Sequence, residues 1–123
     1  LLFKSGSWVV DFKGKDALMK LGKVLETQLD VDIMVEGHTD DVSYGGNGNV
    51  KDNWDLSVKR ATSIVKILMG TTSIDPQQLT AAGRSEFLPL DSADSKEARA
   101  KNRRTEIIIT PKLDELFQML ESN

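Results

Sequence analysis

Apolar residues recur along the chain at two different spacings, and the longer spacing predicts the helices. A repeat of three and four residues predicts an amphipathic helix that Asp11 caps at its start. The same repeat returns at Trp54 and predicts a second helix, for which Gly70 is a suitable C-cap. The predicted buried faces comprise Ala17, Leu18, Leu21, Val24, Leu25 and Leu29 in the first helix, and Val58, Ala61, Ile64, Val65 and Leu68 in the second.

Strands are predicted where the spacing falls to two residues or where β-branched residues dominate. Val31, Ile33 and Val35 follow the period of two, and their strand is expected to end at Gly37. The isoleucine-rich segment 105–110 predicts a strand at the centre of the sheet. The remaining predictions are strands over 1–4 and 79–83, a turn at Asp75–Pro76, a helix over 94–101 capped by Asp94, a strand end at Pro111, and a last helix with Leu113, Leu116, Phe117 and Leu120 on one face.

The predicted order of elements is β-α-β-α-β-α-β-α, which indicates an α/β (α+β) fold with one sheet of about four strands and helices packed on it. With 123 residues the chain is expected to be one domain. Its core would cover about 1–110, and a helical extension would cover 111–123. The chain begins on an apolar segment typical of a strand cut from a longer protein.

Composition removes several classes of function. The net charge of −3 argues against a duplex-DNA binder, which usually has a large basic surface. Because there are no cysteines, disulfide frameworks, thiolate catalysis and cysteine–zinc sites are excluded. The apolar runs are too short for a transmembrane helix, so we expect membrane contact only through a missing N-terminal region.

Polar residues that could carry chemistry gather at the predicted strand and helix ends, where α/β folds usually place ligands. Helical spacing alone favours a solvated state for Arg60, although helical side chains tilt toward the N-terminus and could bring it to the loop that carries Asp40. The full set comprises Asp40 and Asp41 after a strand, Asn53, Asp55 and Ser57 at a helix start, Arg60 one turn later, and Asn102, Arg103 and Arg104 before the last strand.

Catalytic interpretations are weak. Asp40 and Asp41 could act as acid and base or hold a metal, but neighbours on an extended chain point to opposite sides. His38 is the only histidine, and the glycines at 45–48 lack the lysine and hydroxyl of a phosphate-binding loop. We therefore expect no enzyme, no metal and no cofactor, and we keep a metal-assisted hydrolase acting through Asp40, Asp41 and His38 as a distant alternative.

Four motifs in order resemble those of the OmpA-like C-terminal domain, a family that includes MotB and the peptidoglycan-associated lipoprotein. They are G-H-T-D-D at 37–41, N-W-D-L-S-x-x-R-A at 53–61, L-x-x-x-G-x-x-E-x-x-P at 79–89, and N-R-R-T-E-I at 102–107. The resemblance implies a mixed sheet and non-covalent binding to peptidoglycan through the diaminopimelate of the stem peptide. It also implies a wall-anchoring role in the periplasm, at the outer membrane or envelope of a Gram-negative bacterium, as the C-terminal part of a longer envelope protein.

The resemblance also implies a site. The aspartate and the arginine that hold the charged groups of diaminopimelate in relatives correspond to Asp40 and Arg60, with Asn53 and Arg103 as supporting contacts. A carboxylate matches the ammonium, and a guanidinium matches the carboxylate through two parallel hydrogen bonds. The expected ligand-binding set is completed by Thr39 and by Leu56 and Ser57, whose region supplies helix N-terminal amides.

Two features separate the chain from the shortest family members. The loop between Asp40 and Asn53 is longer and contains Tyr44 and a glycine cluster, so it could be a lid or a partner surface. The C-terminal helix lies beyond the family core, where it could pack on the domain or form a homodimer contact.

The motifs G-H-T-D-D and N-W-D-L-S resemble MotB somewhat more than OmpA, which leaves a periplasmic flagellar stator domain as an alternative.

Overall fold

A computed structural model describes residues 2–121, with side chains for 2–112 and 117–121. Within these residues helices and strands alternate along the chain, and Asp75 caps a single 3₁₀ turn at Pro76–Gln78. The elements are α1 (Phe12–Leu25), β1 (Val31–Gly37), α2 (Asn53–Thr71), β2 (Leu79–Gly83), α3 (Lys96–Asn102), β3 (Thr105–Pro111) and α4 (Leu113–Glu121). None of the helices in this part of the chain is both long and apolar enough to cross a membrane.

The described strands form a mixed sheet in the order β2-β1-β3, with β1 parallel to β2 and antiparallel to β3. The predicted mixed α/β architecture is confirmed, but the sheet has three strands instead of about four. The prediction that the isoleucine-rich strand is central is wrong, since β3 is at an edge and Ile109 is 48% exposed. The centre is β1, where Ile33 and Val35 are fully buried.

The predicted strand over 1–4 is not formed by its described residues 2–4, and Leu1 lies outside the described part of the chain. The backbone turns here instead, because the amide of Ser7 donates to the carbonyl of Lys4 over 3.0 Å. Phe3 is nevertheless buried and belongs to the hydrophobic core. The segment therefore contributes a side chain to the core without contributing a strand to the sheet.

The buried face of α1 passes through two glycines that the apolar pattern did not include. The prediction is correct for Leu18 and Leu25, whereas Ala17, Leu21 and Val24 are exposed. Leu29 is exposed too and lies beyond the end of the helix. Gly22 lies so close to α2 that a Cβ there would overlap Thr72 and approach Leu68 to 3.1 Å. Close helix packing over small residues has turned the apolar stripe partly toward solvent. The buried residues of α1 are Gly14, Leu18, Gly22 and Leu25.

Helix α2 packs on β1 and β2 and carries most of the site. Asp52 caps it by accepting a hydrogen bond from the amide of Asp55. Gly70 is not the C-cap, because the helix continues to Thr71. Val58 is 42% exposed, contrary to prediction, since the helix turns more polar positions toward the sheet. The buried residues of α2 are Asn53, Leu56, Ser57, Arg60, Ala61, Ile64 and Leu68.

Four smaller predictions near the C-terminus also need correction. Ser95, and not Asp94, caps α3 by accepting from the amide of Ala98, and the helix ends one residue later than expected. Pro111 is the last residue of β3 instead of following it. On α4 the side chains of Phe117 and Leu120 are exposed, while those of Leu113 and Leu116 lie outside the described residues.

Candidate functional site

A small pocket of about 60 Å³ opens where the chain leaves β1 and enters α2. Six of the seven residues predicted to bind a ligand lie in its wall, and Ser57 does not. The structure thus brings together residues from the loop after β1, the start of α2 and the position after α3. The six are Thr39, Asp40, Asn53, Leu56, Arg60 and Arg103, and they are joined by Ser5, Gly6, Val42, Ser43 and Tyr44.

Asp40 is buried, and both of its carboxylate oxygens accept hydrogen bonds. Arg103 Nη1 donates to Oδ2 over 2.7 Å, and the amide of Val42 donates to Oδ1 over 3.1 Å. Thr39 Oγ1 donates to the carbonyl oxygen of Asp40 over 2.8 Å and holds the strand end in shape. Arg103, and not Arg60, is therefore the direct ionic partner of Asp40.

Arg60 is buried at 2% exposure, so the solvated state that its helical spacing favoured is wrong. Its Nε donates to the carbonyl of Ser7 over 2.8 Å, and its Nη2 donates to that of Lys4 over 3.2 Å. The guanidinium lies 5.3 Å from the centre of the Phe3 ring. Burial lowers the pKa of Arg60, the charge of Asp40 raises it, and Arg103 lowers it again. Because arginine still keeps its proton, the pocket contains a desolvated permanent cation.

The pocket has an excess of positive charge. Arg60 and Arg103 are cations, and Asp40 is the only carboxylate among the lining residues. One cation is paired with Asp40, and the other makes hydrogen bonds to neutral backbone carbonyls. A partly dehydrated cation without a carboxylate partner attracts an anion strongly. The geometry is therefore suited to a ligand that brings a carboxylate to Arg60.

The remaining predicted site residues, Asn53, Leu56 and Ser57, make hydrogen bonds within the protein. Asn53 Nδ2 donates to the carbonyl of Val42 over 3.0 Å and so fastens the loop after β1 to the start of α2. The amide of Leu56 donates to the carbonyl of Asp52. Contrary to the expectation, this amide is therefore not available to bind an anion. Ser57 is fully buried; its Oγ donates to Trp54 and accepts from the amide of Ser85. Its observed contacts hold α2 against the chain after β2.

Comparison with known proteins places this arrangement in a family. The profile of the OmpA family matches residues 2–103. The chain belongs to the OmpA family. Motility protein B of Bacillus subtilis (strain 168) is 30% identical over 112 residues, which is 91% of this chain and 42% of that protein. This OmpA-family chain therefore spans about half or less of the length of such curated relatives.

Solved structures give the same result for the fold. The periplasmic domain of Helicobacter pylori MotB is 25% identical and superposes with a TM-score of 0.80, covering 99% of this chain and 79% of that one. The cell wall anchor of the T6SS from Pseudomonas aeruginosa is 33% identical with a TM-score of 0.78, covering 89% and 75%. The OmpA-family fold predicted from the four motifs is thus confirmed.

Sequence reasoning missed that the N-terminal turn belongs to the pocket. Gly6 has a positive φ of 68°, and a Cβ on it would meet the Tyr44 ring at 3.5 Å. Ser5 and Gly6 line the pocket, while Lys4 and Ser7 supply the carbonyls that hold Arg60. No periodic pattern could have revealed this, because the contact joins two irregular segments. The one hint of this contact in the sequence was Tyr44, an aromatic residue inside a glycine-rich loop.

A second polar cluster surrounds His38 beside the pocket. His38 Nε2 donates to Glu36 over 2.7 Å and lies 3.3 Å from Glu106. These three are the only group of potential metal ligands found among the described residues. Arg84 and Arg104 neutralise the two carboxylates. The cluster is a partly buried ionic network that joins β1 to β3, since His38 and Glu36 are buried whereas the Glu106 side chain is exposed. It differs from the grouping of His38 with Asp40 and Asp41 in the hydrolase alternative.

Proposed function

We propose that this OmpA-family domain binds peptidoglycan non-covalently through the diaminopimelate of the stem peptide and anchors an envelope protein to the cell wall. The single observation that carries the proposal is the pocket in which the buried Arg60 lies beside the Asp40–Arg103 ion pair. The similarity to a cell wall anchor supports it. We place the domain in the periplasm, as in the MotB relative, and we assign it no catalytic role.

The chemistry of diaminopimelate matches the residues one by one. Two N–H groups of Arg60 are used by backbone carbonyls, and the remaining ones can bind a carboxylate. The ammonium of the ligand would approach Asp40, whose oxygens can each accept more than one hydrogen bond. Asp40 would then be shared between the ligand and Arg103. Each charge-assisted bond would contribute about 1.5–3 kcal/mol if water is excluded.

A second candidate concerns the parent protein and leaves the site unchanged. The similarity to motility protein B and to a MotB periplasmic domain supports a stator domain of a flagellar motor. A passive anchor and a stator would bind the wall through the same pocket. The sequence of the parent chain distinguishes them, because a transmembrane helix with a proton-carrying aspartate favours a stator subunit, whereas a lipid-modified cysteine, a barrel or a coiled coil favours a passive anchor.

Calorimetric titration with diaminopimelate and with a disaccharide-linked stem peptide tests the proposed function. The wild type should bind both, and Asp40→Ala should bind neither measurably. Asp41→Ala is the matched control, since Asp41 is the neighbouring carboxylate but is exposed and does not line the pocket. Circular dichroism should confirm that both variants are folded. Equal affinity of all three proteins would refute the proposed site.

A further inference from the structure

Two large aromatic side chains are exposed beside the pocket and contact each other. Trp54 is 50% exposed and Phe87 is 62% exposed. Their ring centroids are 5.6 Å apart, with an angle of 39° between the planes. Trp54 is in the first turn of α2, and Phe87 follows β2. We call this pair the aromatic ledge. Contiguous exposed apolar surface is typical of interaction sites and ligand-binding grooves.

The aromatic ledge lines a cleft of about 310 Å³. This cleft shares Ser43, Tyr44 and Asn53 with the pocket that contains Arg60. A ligand of two linked parts could therefore occupy both without leaving the surface. The cleft is also several times larger than the pocket and is too wide for a single carboxylate or ammonium.

The charges of the two cavities are opposite. Asp52 and Glu86 line the cleft, and none of its lining residues is a lysine or an arginine. The pocket has Arg60 and Arg103 against a single carboxylate. An anionic part of a ligand is thus drawn to the pocket and repelled from the cleft. A neutral part with many hydroxyls suits the cleft, because carboxylates and the serine and asparagine side chains can accept its hydrogens.

We propose that the aromatic ledge is a glycan subsite, which stacks on the pyranose ring of the N-acetylated amino sugar that carries the stem peptide. The inference rests on the proposed function, which places the diaminopimelate of that peptide in the pocket. One face of a pyranose presents C–H groups with partial positive charge, and the face of an aromatic ring is negative. Trp54 supplies the larger surface, and Phe87 holds its ring in place.

Titrations with two ligands that differ only in the sugar test the subsite. One is the free stem peptide, and the other is the same peptide on its disaccharide. The wild type should bind the sugar-linked form roughly three- to tenfold more tightly, as expected for one aromatic contact. Trp54→Ala should lose this gain while its affinity for the free peptide stays unchanged. Trp54→Tyr keeps a ring and should retain most of the gain.

Phe12→Ala is the matched control, because Phe12 is an exposed aromatic at 86% that lines neither cavity. Phe87→Ala provides an independent variant on a loop and should reduce the gain in part. The inference is overturned if the wild type gains nothing from the sugar, or if Trp54→Ala weakens both ligands equally, which would make the ledge a peptide contact. Binding of neither ligand to the wild type would instead overturn the proposed function together with its subsite.

Discussion

Arg103, directly after α3, donates to Asp40, in the loop after β1, over 2.7 Å, and this ion pair joins segments that are 63 residues apart in sequence. Their side chains are 19% and 10% exposed, so the pair is largely shielded from water. The pair positions the one carboxylate of the pocket next to the buried Arg60. A ligand ammonium would therefore meet a carboxylate that is already oriented.

Loss of Arg103 should impair both stability and ligand binding. Arg103→Ala should lower the free energy of unfolding by about 2 kcal/mol, since a mostly buried carboxylate loses its partner. It should also weaken binding of the stem peptide, because Asp40 is no longer held. Urea unfolding and calorimetry on Arg103→Ala, Asp40→Ala and the double variant measure the coupling between the two residues.

Arg99→Ala is the control for this prediction. Arg99 also pairs with an aspartate at 2.8 Å, but the Asp94 side chain is 95% exposed. Arg99→Ala should therefore change the free energy of unfolding by no more than about 0.5 kcal/mol. Strictly additive effects of Arg103→Ala and Asp40→Ala would show that the pair does not act as a unit.

Arg60 should be needed for the fold of the N-terminal turn as well as for ligand binding. Arg60→Ala removes two hydrogen bonds and the contact with Phe3, and should cost about 3 kcal/mol in unfolding free energy. Arg60→Lys keeps the charge but cannot form the planar fork, so stability should recover only in part. Thermal and urea unfolding should rank the stabilities as wild type, then Arg60→Lys, then Arg60→Ala. Lys66→Ala, at an exposed position on the same helix, serves as the control. Equal stability of Arg60→Ala and Lys66→Ala would contradict the structural role.

Gly37 should tolerate no side chain. A Cβ on this residue would overlap the carbonyl oxygen of Ser57, where β1 meets α2. Gly37→Ala should therefore lower the free energy of unfolding by about 2–3 kcal/mol, as expected for overpacking against backbone. Gly45→Ala should be nearly neutral, since a Cβ added to Gly45 would extend into open space. Chemical denaturation of both variants provides the comparison, and similar midpoints would disprove close packing at Gly37.

Glu26 should make stability depend on pH in the acidic range. Its Oε2 accepts from the amide and the hydroxyl of Ser73 over 2.8 and 2.9 Å. These bonds lower the pKa of Glu26 from 4.5, chiefly through the backbone amide. Because the folded pKa is depressed, the stabilisation is present above the unfolded pKa and is lost as the pH falls through the folded pKa.

The variant Glu26→Gln should therefore have a lower melting temperature than the wild type at pH 7, and the difference should shrink at pH 3. The effect should be small, since the carboxylate is at the surface. Glu121→Gln, an exposed acid at the end of α4, is the control. A difference between wild type and Glu26→Gln that is the same at both pH values would exclude titration of Glu26 as its cause.

Local patterns along the chain determined the type and approximate limits of most elements. Asp11 caps α1, Gly37 ends β1, and the isoleucines of 105–110 form β3, because each signal acts within a few residues. The motif spacing was also sufficient to identify the OmpA family and to name residues that line one pocket. The limits of the helices and strands follow from interactions between residues close in sequence, and the family and the pocket residues follow from the order and spacing of the motifs.

Tertiary structure alone decided how these pieces meet. Gly14 and Gly22 let α1 approach its neighbours closely and rotated its buried face away from Val24. Arg60 is buried because two carbonyls of the N-terminal turn accept its hydrogens, more than 50 residues away in sequence. The choice of Arg103 as the partner of Asp40 and the edge location of β3 have the same origin. Such long-range contacts depend on the packing of the whole chain, which no local window of sequence contains.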